Sequence, residues 1–300
     1  MQIYRHITNS GSHPPCVLTI GNYDGIHLGH QKLINELLIK SKKAQIESSI
    51  MIFEPHPREF FTPKDAPTRI TSLREKIEYF QSRNIDRVYI VKFNERFSHM
   101  SGDEFILRLK EQISAQAILV GEDFRFGRNR EYGITDLLES DIETFILKEI
   151  KNNNKRVSST HVRDALASGD LSLAKDLLGR HYSISGKVIH GDHRGREMGY
   201  PTANIHMLHN RPPLKGVFAV KLNEKFGVAN LGTRPTVKGI LKLHLEVHVL
   251  NFSKDLYGHH VHITFLKKIR DEIKFKSIED LKIQIKKDII NAEIFQKNYD

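Results

Sequence analysis

The fold of the first half of the chain is decided by the stretch Thr19-Ile20-Gly21-Asn22-Tyr23-Asp24-Gly25-Ile26-His27-Leu28-Gly29-His30. It leads from an apolar, β-rich run, Cys16–Ile20, into an amphipathic segment, Gln31–Lys40. Glycines in the turn let the backbone approach a ligand closely, and a helix N-terminus offers free N–H groups and a positive dipole to phosphate. The stretch therefore predicts a strand, a phosphate-binding turn and a helix in direct succession.

Outward from this stretch, apolar runs alternate with amphipathic segments as far as about residue 150. The predicted strands are Cys16–Ile20, Ser49–Phe53, Val88–Val91 and Ala117–Val120, and the predicted helices are Gln31–Lys40, Leu73–Gln81 and Asp103–Lys110. This alternation predicts a Rossmann-like α/β domain, a parallel sheet with helices on both faces. Ligands of such sheets bind in the loops after the strands, here Gly21–His30, Glu54–Arg58 and Gly121–Gly133.

After Arg180 the pattern changes to strand-like alternation. The expected strands are Tyr182–His190, Gly216–Lys221, Phe226–Asn230, Leu243–Leu250 and His260–Phe265. These predict a small antiparallel β-barrel, closed by a C-terminal helix that begins near Ser277 with Glu279 and Asp280 in its first turn. One or two linking helices are expected over Ser159–Leu178. The predicted domains are therefore residues 1–181 and 182–300.

Composition narrows the class of protein. The chain has 300 residues, 39% of them hydrophobic, and a net charge of +10. Its lysines are scattered, and the dense basic runs 151–156 and 282–287 are interpreted as solvated faces, so no nucleic-acid partner is predicted.

With neither a signal peptide nor an apolar run long enough to span a membrane, a cytoplasmic protein is expected. Cys16 is the single cysteine, which excludes an intrachain disulfide; a buried small residue is expected there.

The two histidines of the opening stretch suggest phosphate chemistry. His27 and His30 stand at a helix start, where both can donate hydrogen bonds to one phosphate chain as charge moves onto a leaving pyrophosphate. The chain holds 17 histidines, so this spacing also arises by chance. The strand, glycine and helix context favours the functional interpretation.

Gly21–His30 resembles the His-x-Gly-His signature of the nucleotidylyltransferase superfamily, in the form found in bacterial bifunctional riboflavin kinase/FAD synthetases. Phe53–Arg58, Val120–Gly127 and Ser158–Arg163 resemble further segments of that family. The resemblance implies catalytic roles for His27, His30 and Arg163. It implies ATP or phosphate contacts for Gly21, Asn22, Asp24, Gly25, Gly29, Ser158, Ser159 and Thr160, and flavin contacts for Asp123, Phe124 and Phe126.

Two of these segments have plainer interpretations. Ser158–Arg163 alone would be a capped helix with a solvent-facing arginine, although its hydroxyls and guanidinium also suit phosphate. Phe124 and Phe126 would more often be core residues than neighbours of an isoalloxazine ring. Tyr23 stands where the family usually has Phe, which exchanges only a hydroxyl.

A second group of motifs follows residue 185. The glycine-rich run Gly186–Arg196 leads to Gly199–Asn204, where a hydroxyl beside a carboxamide supplies oxygen ligands of the kind Mg²⁺ prefers. Pro201–Asn204 closely resembles the metal-binding signature of riboflavin kinases, although without the family it would be taken for a turn. The resemblance implies that Thr202 and Asn204 bind Mg²⁺ and that Gly186, Gly191, Gly195 and Gly199 lie at the ATP phosphates.

In the predicted strand Leu243–Leu250, Glu246 and His248 fall on one face. An acid on the inward face of a small barrel is costly unless it has a function or a partner, and on the bare sequence a structural ion pair is the favoured interpretation. The family resemblance, which continues through Gly216–Phe218, Asn230–Thr236, Asp255–Gly258 and Arg270–Phe275, implies instead that Glu246 is the catalytic base. It also implies that Arg270 and Phe275 contact flavin.

The resemblance implies an enzyme that phosphorylates riboflavin to FMN and adenylylates FMN to FAD, with ATP as co-substrate, Mg²⁺ as cofactor and no obligate protein partner. Three rivals remain: an RNA-directed enzyme of the aminoacyl-tRNA synthetase class, a single-activity nucleotidylyltransferase for another metabolite, and a non-catalytic flavin-binding module. The synthetase class carries a lysine-rich signature that this sequence lacks. A single-activity nucleotidylyltransferase leaves Pro201–Asn204 and Glu246 unexplained. A binding module would be favoured if either site had lost its phosphate ligands.

Overall fold

A computed structural model describes residues 1–299 except 6, 8–12, 153–154, 192–194, 196–197, 210 and 236–240, and for 152, 155, 234, 235, 241 and 242 it describes the backbone alone. The chain divides into two compact units. The first comprises Met1–Pro67 and Arg74–Ser158, and the second comprises Thr68–Leu73 and Ser159–Asp300. The functional boundary expected after residue 181 stays a prediction.

The first unit contains a parallel six-stranded sheet. Its strands are β1 (Gln2–Tyr4), β2 (Cys16–Ile20), β3 (Glu47–Glu54), β4 (Arg87–Lys92), β5 (Ala115–Gly121) and β6 (Glu143–Leu147), in the spatial order β1-β4-β3-β2-β5-β6. The helices along this part of the chain are α1 (Leu28–Ala44), α2 (Pro57–Phe61), α3 (Leu73–Ser82), α4 (Glu95–Ser98), α5 (Gly102–Glu111) and α6 (Ile134–Leu138). A short hairpin, β7 (Lys151–Asn152) with β8 (Lys155–Arg156), ends the unit.

The position of β2 in the sheet decides where ligands bind. All five residues of β2 are buried, as expected of a central parallel strand covered on both faces. The chain leaves β2 for β3 on one side, and later returns to β5 on its other side. The strand order therefore reverses at β2, and the carboxyl ends of β2 and β5 form the crevice in which sheets of this kind bind ligands.

The second unit is a closed antiparallel barrel with helices. Two helices lead in, α7 (Ser159–Ser168) and α8 (Leu171–Leu178). The barrel strands are β9 (Ser183–Ile189), β10 (Ala203–Met207), β11 (Gly216–Leu222), β12 (Lys225–Pro235), β13 (Leu241–Val249) and β14 (His260–Arg270), in the order β10-β13-β12-β11-β14-β9. Helix α9 (Ile278–Lys297) closes the chain, and the Ser277 hydroxyl caps it by accepting from the Asp280 N–H at 3.1 Å.

The predicted fold class, a parallel α/β sheet followed by an antiparallel barrel and a C-terminal helix, is confirmed. Strands β1, β6 and β10 and the short hairpin strands β7 and β8 were not predicted. Of these, β10 begins inside the segment that sequence alone marks as a turn, because its pairing is supplied by β9 and β13 rather than by local propensity. Among the described helices none is long and apolar enough to cross a membrane.

Candidate functional sites

The predicted phosphate loop lies between β2 and α1, at the carboxyl end of the central strand. His27 is the N-cap of α1, and its Nδ1 accepts from the His30 backbone N–H at 3.4 Å. The two imidazole rings stack with their centroids 3.8 Å apart and 18° between their planes. The loop thus brings both histidines together at the start of a helix, where the dipole favours a bound anion.

Backbone shape in this loop depends on two tight positions. Gly25 has a φ of 86°, a backbone angle that residues with a side chain rarely adopt. A Cβ added to Gly29 would lie 3.0 Å from His27 Cε1, so the histidine ring occupies the space that a side chain would need.

Asp24 is buried, and the amide oxygen of Asn22 is buried without a hydrogen-bond partner among the described residues. The loop therefore has an unused acceptor as well as its helix N-terminus.

Tyr23 anchors the loop to the sheet. It is fully buried with a φ of 50°, and its hydroxyl lies 2.7 Å from the Thr19 hydroxyl, itself fully buried in β2. Burial keeps the pKa of Tyr23 well above its ordinary value, because the phenolate would lose its hydration. The hydroxyl therefore stays protonated and bonded. The exchange from the family's usual Phe adds a buried hydrogen bond here.

Removing that hydrogen bond should destabilise the first unit. We expect Tyr23→Phe to lower the free energy of unfolding by about 1–2 kcal/mol, because the Thr19 hydroxyl is left buried without its partner. Urea denaturation measures the effect, with Tyr4→Phe as the control, since the Tyr4 hydroxyl bonds Gln2 at an exposed site. The double variant Thr19→Val/Tyr23→Phe should lose less than the sum of the single variants. Strict additivity would contradict the proposed pair.

The segment Ser158–Arg163 begins helix α7, as predicted. Ser158 and Ser159 are half-buried and Thr160 is exposed. Within the first unit, a Cβ on Gly29 would lie 3.8 Å from the carbonyl oxygen of Val157, so the chain entering Ser158 adjoins the start of α1. Within the second unit, Arg163 Nε donates to the Thr68 carbonyl at 2.7 Å. That Arg163 acts together with His27 and His30 stays a prediction.

The predicted flavin residues of the first unit have different environments. Asp123 is exposed and pairs with Arg156, which also pairs with Glu149 at 2.6 Å. Phe126 is 7% exposed and belongs to the hydrophobic core, whereas Phe124 is half-buried and stacks on it with centroids 5.6 Å apart. Phe124 is thus the better placed of the two aromatic rings to meet a ligand.

An aromatic group that sequence analysis did not single out continues from these rings. It collects at the ends of β3 and β4 and on the short helices that follow, and it comprises Phe53, Phe60, Phe61, Phe93, Phe97 and Phe105. Phe61 is 62% exposed, with its ring centroid 5.6 Å from that of Phe93. The sequence gives only a weak indication of this aromatic group. Phenylalanines follow two successive strands, and Phe60 and Phe61 are adjacent.

In the second unit, a cavity of about 270 Å³ brings the other predicted residues together. Its walls include Gly195, Thr202, Asn204, Glu246, Arg270 and Phe275. Gly195 and Thr202 precede β10 and Asn204 lies in it, Glu246 lies in β13, Arg270 ends β14 and Phe275 follows it. Helix α9 contributes Leu281, Ile285 and Ile289. The predicted metal, base and flavin residues of this unit therefore share one cavity.

Strand register explains how the polar residues meet. Asn204 on β10 is paired with Glu246 on β13, which is paired on its other side with Asn230 on β12. Opposed residues in an antiparallel ladder have Cα atoms about 4.5–5.5 Å apart. The three side chains form a row across three neighbouring strands, with the carboxylate in the middle. Asn230 was not predicted as a site residue.

The face of the barrel that carries Glu246 differs from the expectation. In β13, Leu245, Val247 and Val249 are buried, whereas Glu246 and His248 are half-buried. The acid therefore does not point into the barrel core, and the inward-face expectation was wrong. Period-two alternation shows which residues share a face but not which face is inside. Glu246 lies in a cavity covered by α9, so it avoids the cost of a charge in the core.

The glycine-rich turn fits closely around Asn204 and Thr202. A Cβ on Gly191 would collide with the Asn204 carboxamide, and one on Gly195 would lie 2.5 Å from the Tyr200 carbonyl oxygen and 3.0 Å from Thr202 Oγ1. Gly199 has a φ of 87°, whereas Gly186 lies in strand β9 against His206. Asp192, His193, Arg194 and Arg196 of this motif lie outside the described residues.

Further polar groups in the cavity were missed from sequence. His248 Nδ1 lies 2.8 Å from the Pro201 carbonyl oxygen, which ties β13 to the segment carrying Thr202. Asn230 Nδ2 lies 3.4 Å from His244 Nε2, and its buried Oδ1 has no partner among the described residues. Arg270 is held by Asp288 of α9. Pairing partners such as Asp288 leave no local signal, because they are chosen by tertiary packing.

Comparisons with known proteins match both parts of the chain. The family model of FAD synthetase matches residues 9–161, and that of riboflavin kinase matches residues 178–295. The chain is 42% identical to the bifunctional riboflavin kinase/FMN adenylyltransferase of Haemophilus influenzae, over 98% of this chain and 99% of the relative. For the protein of the same name from Escherichia coli, the identity is 42% over 98% of both chains.

A solved structure from Streptococcus pneumoniae, named a macrolide-efflux protein, is similar over 97% of this chain and 98% of its own. Its TM-score is 0.81 and its sequence identity is 27%. This likeness extends over both units and supports the arrangement of strands and helices in each of them.

Proposed function

Because the chain belongs to the family of bifunctional riboflavin kinase/FMN adenylyltransferases and carries both activities, we propose that it performs them at two separate sites. The barrel cavity phosphorylates riboflavin, and the loop between β2 and α1 adenylylates FMN. The two family models divide near the boundary expected after residue 181 and support residues 1–181 and 182–300 as functional domains. Because the chain matches both families, the alternatives of a single-activity nucleotidylyltransferase and of a non-catalytic flavin-binding module are disfavoured.

The observation that carries the kinase assignment is the row Asn204, Glu246 and Asn230 in one cavity with Thr202. Glu246 accepts the proton of the terminal ribityl hydroxyl as that oxygen attacks the γ-phosphorus of ATP, and ADP leaves in line. Asn230 presents an amide acceptor beside the base, which suits a hydroxyl of the ribityl chain. Arg270, Phe275 and the apolar side of α9 offer the wall against which a flavin ring packs.

The side chains present also fit Mg²⁺. Thr202 and Asn204 provide neutral oxygen donors, Glu246 lies opposite Asn204 in the ladder, and Mg²⁺ prefers such oxygen ligands. Gly191 and Gly195 approach these side chains so closely that a Cβ would collide with them, and glycine-rich turns commonly offer backbone amides to phosphate. When bound, Mg²⁺ neutralises charge on the ATP phosphates. Thr202 and Asn204 would hold it, while the turn holds the phosphate chain.

At the transferase site, the FMN phosphate attacks the α-phosphorus of ATP and pyrophosphate leaves. The nucleophile needs no general base, because the second pKa of a phosphate monoester is about 6 and the group is already anionic near neutral pH. His27 and His30 donate to the departing pyrophosphate, and Arg163 is expected to share that role. The exposed Phe61 and half-buried Phe124 are the aromatic rings that we expect beside FMN.

A chromatographic time course of riboflavin with Mg·ATP tests the proposal. FMN should appear first and FAD second, and supplied FMN should be converted to FAD without riboflavin. Absence of both products, with and without a reductant, would contradict it. Riboflavin, FMN, FAD and ATP are the small-molecule partners; the absence of nucleic-acid, membrane and obligate protein partners, and a cytoplasmic location, stay predictions.

A single methyl group in the glycine-rich turn should separate the two activities. We expect Gly191→Ala to lower the kinase kcat/KM for Mg·ATP about tenfold or more, because the new Cβ displaces the Asn204 carboxamide and a misplaced ligand loses alignment. FAD formation from supplied FMN should not change. Gly258→Ala is the control for backbone strain, since Gly258 lies in the same unit with a φ of 79° and no described atom lies within 4 Å of its Cβ position. Equal loss of both activities in Gly191→Ala would contradict the assignment.

A further inference from the structure

Arg270 stands at the end of β14 and lines the kinase cavity, where its guanidinium is held in a fixed orientation. Nε lies 3.0 Å from Asp288 Oδ1 and 3.1 Å from Oδ2, and Nη2 lies 2.7 Å from Oδ2. Nη1 donates to the Asp271 carbonyl at 2.9 Å. This fork-to-carboxylate arrangement fixes the plane of the guanidinium as well as its position.

Asp288 belongs to the middle of helix α9 and is 2% exposed. Besides the three contacts from Arg270, Asp288 accepts a hydrogen bond at its Oδ1 from Gln284 Nε2 at 2.8 Å, one helical turn earlier. A buried carboxylate is tolerated when it is paired and fully hydrogen-bonded. The oxygens of Asp288 are committed to protein donors, so its contribution to the cavity is to hold Arg270.

The guanidinium keeps donors for a ligand. Arginine has five N–H groups, and the bonds above use one on Nε, one on Nη1 and one on Nη2. One N–H on each terminal nitrogen therefore remains with no acceptor among the described residues. The guanidinium carbon also lies 5.8 Å from the ring centroid of Phe275. A fixed plane with two free donors beside an aromatic ring suits a planar ligand that has carbonyl acceptors on its edge.

We propose that Asp288 is a positioning residue of the riboflavin site: its carboxylate fixes Arg270 so that the guanidinium and Phe275 receive the isoalloxazine ring. This inference rests on the proposed kinase function of the cavity. It makes helix α9 a part of the site, because the helix supplies both Asp288 and the apolar residues Leu281, Ile285 and Ile289 of the cavity wall. Arg270 contacts the flavin, and Asp288 acts through Arg270.

The test is steady-state kinetics of Asp288→Asn, which keeps the shape but removes the charge. A hydrogen bond to a charged group is worth about one to two powers of ten in binding, so we expect the KM for riboflavin to rise about 10- to 100-fold. The kcat and the KM for Mg·ATP should change less than about threefold, a split between binding and turnover that mutant kinetics can resolve. Quenching of riboflavin fluorescence in the presence of Mg·ADP should show the same weakening. Glu293→Gln, an exposed acid on the same helix, is the matched control and should behave as the wild type.

Two more variants separate positioning from packing. Arg270→Lys keeps the charge but loses the fork, and it should raise the riboflavin KM as much as Asp288→Asn does. The double variant should be no worse than either single one, because both act on one contact. Gln284→Met removes only the amide donor to Asp288 and serves as the milder variant if Asp288→Asn does not fold. It should raise the same KM by only about two- to fivefold, because one amide donor to the carboxylate is lost while the pairing of Asp288 with Arg270 remains.

The two activities of the chain make the outcomes distinguishable. Each variant should convert supplied FMN to FAD at the wild-type rate, which reports that the first unit is intact, and an unchanged KM for Mg·ATP reports that the barrel is folded. A riboflavin KM within twofold of wild type for Asp288→Asn overturns the inference, and so does an equal rise in the KM values for riboflavin and Mg·ATP. If the wild-type protein itself forms no FMN from riboflavin, the proposed kinase function fails instead.

Discussion

Glu246→Gln should lower the rate of riboflavin phosphorylation by about 10²–10⁴-fold, the usual contribution of a positioned general base. The amide cannot accept the hydroxyl proton, yet it keeps the size of the side chain and its place between Asn204 and Asn230 in the ladder. The protein should therefore stay folded, and the loss should appear in kcat. Conversion of supplied FMN to FAD should continue at the wild-type rate.

The control variant for Glu246→Gln is Glu224→Gln, in the exposed turn between β11 and β12. This change removes the same charge from the same unit, away from the cavity, and should leave both rates unaltered. Product chromatography with riboflavin and then with FMN as substrate gives the two rates separately. If kinase activity falls less than tenfold, or if both activities fall together, Glu246 is a structural acid and not the base.

His30→Ala should have the opposite pattern, with FMN accumulating and FAD formation reduced by about 10²–10³-fold. That magnitude is typical of removing one donor that stabilises charge in a transition state. His30 is half-buried, its ring is stacked on His27, and its backbone N–H is already engaged by His27 Nδ1. Its loss should therefore act on the leaving pyrophosphate more than on the cap of helix α1.

His27 needs a gentler substitution because it is both a buried residue and the N-cap of α1. Asparagine is among the best N-cap residues, so His27→Asn should keep the helix start while removing the imidazole. We expect it to lose FAD formation to a similar degree as His30→Ala. His99→Ala, an exposed histidine of the same unit, is the control. FAD formation at the wild-type rate in both loop variants would refute the assignment of this loop.

Much of the organisation was predictable from sequence because it depends on local chemistry. The buried run Cys16–Ile20, the glycine turn after it and the histidines at the helix start are contiguous, so each constrains its neighbour. The change from helical to strand-like periodicity after Arg180 likewise separated a parallel sheet from a barrel. The motif Pro201–Asn204 was identified by resemblance, whereas its strand β10 was not, since that strand is defined by pairing with β9 and β13.

By itself, the sequence determined the alternation of the main strands and helices, the loops suited to phosphate and the residues able to perform the chemistry, since these follow from neighbours along the chain. Only the tertiary structure decided which groups meet. Register across three strands places Asn230 and Asn204 beside Glu246, and packing of α9 on the barrel brings Asp288 to Arg270, 18 residues earlier. The tertiary structure also decided that Glu246 faces the helix-covered cavity and not the barrel core. Alternation along a strand defines two faces, and long-range packing selects the one that is buried.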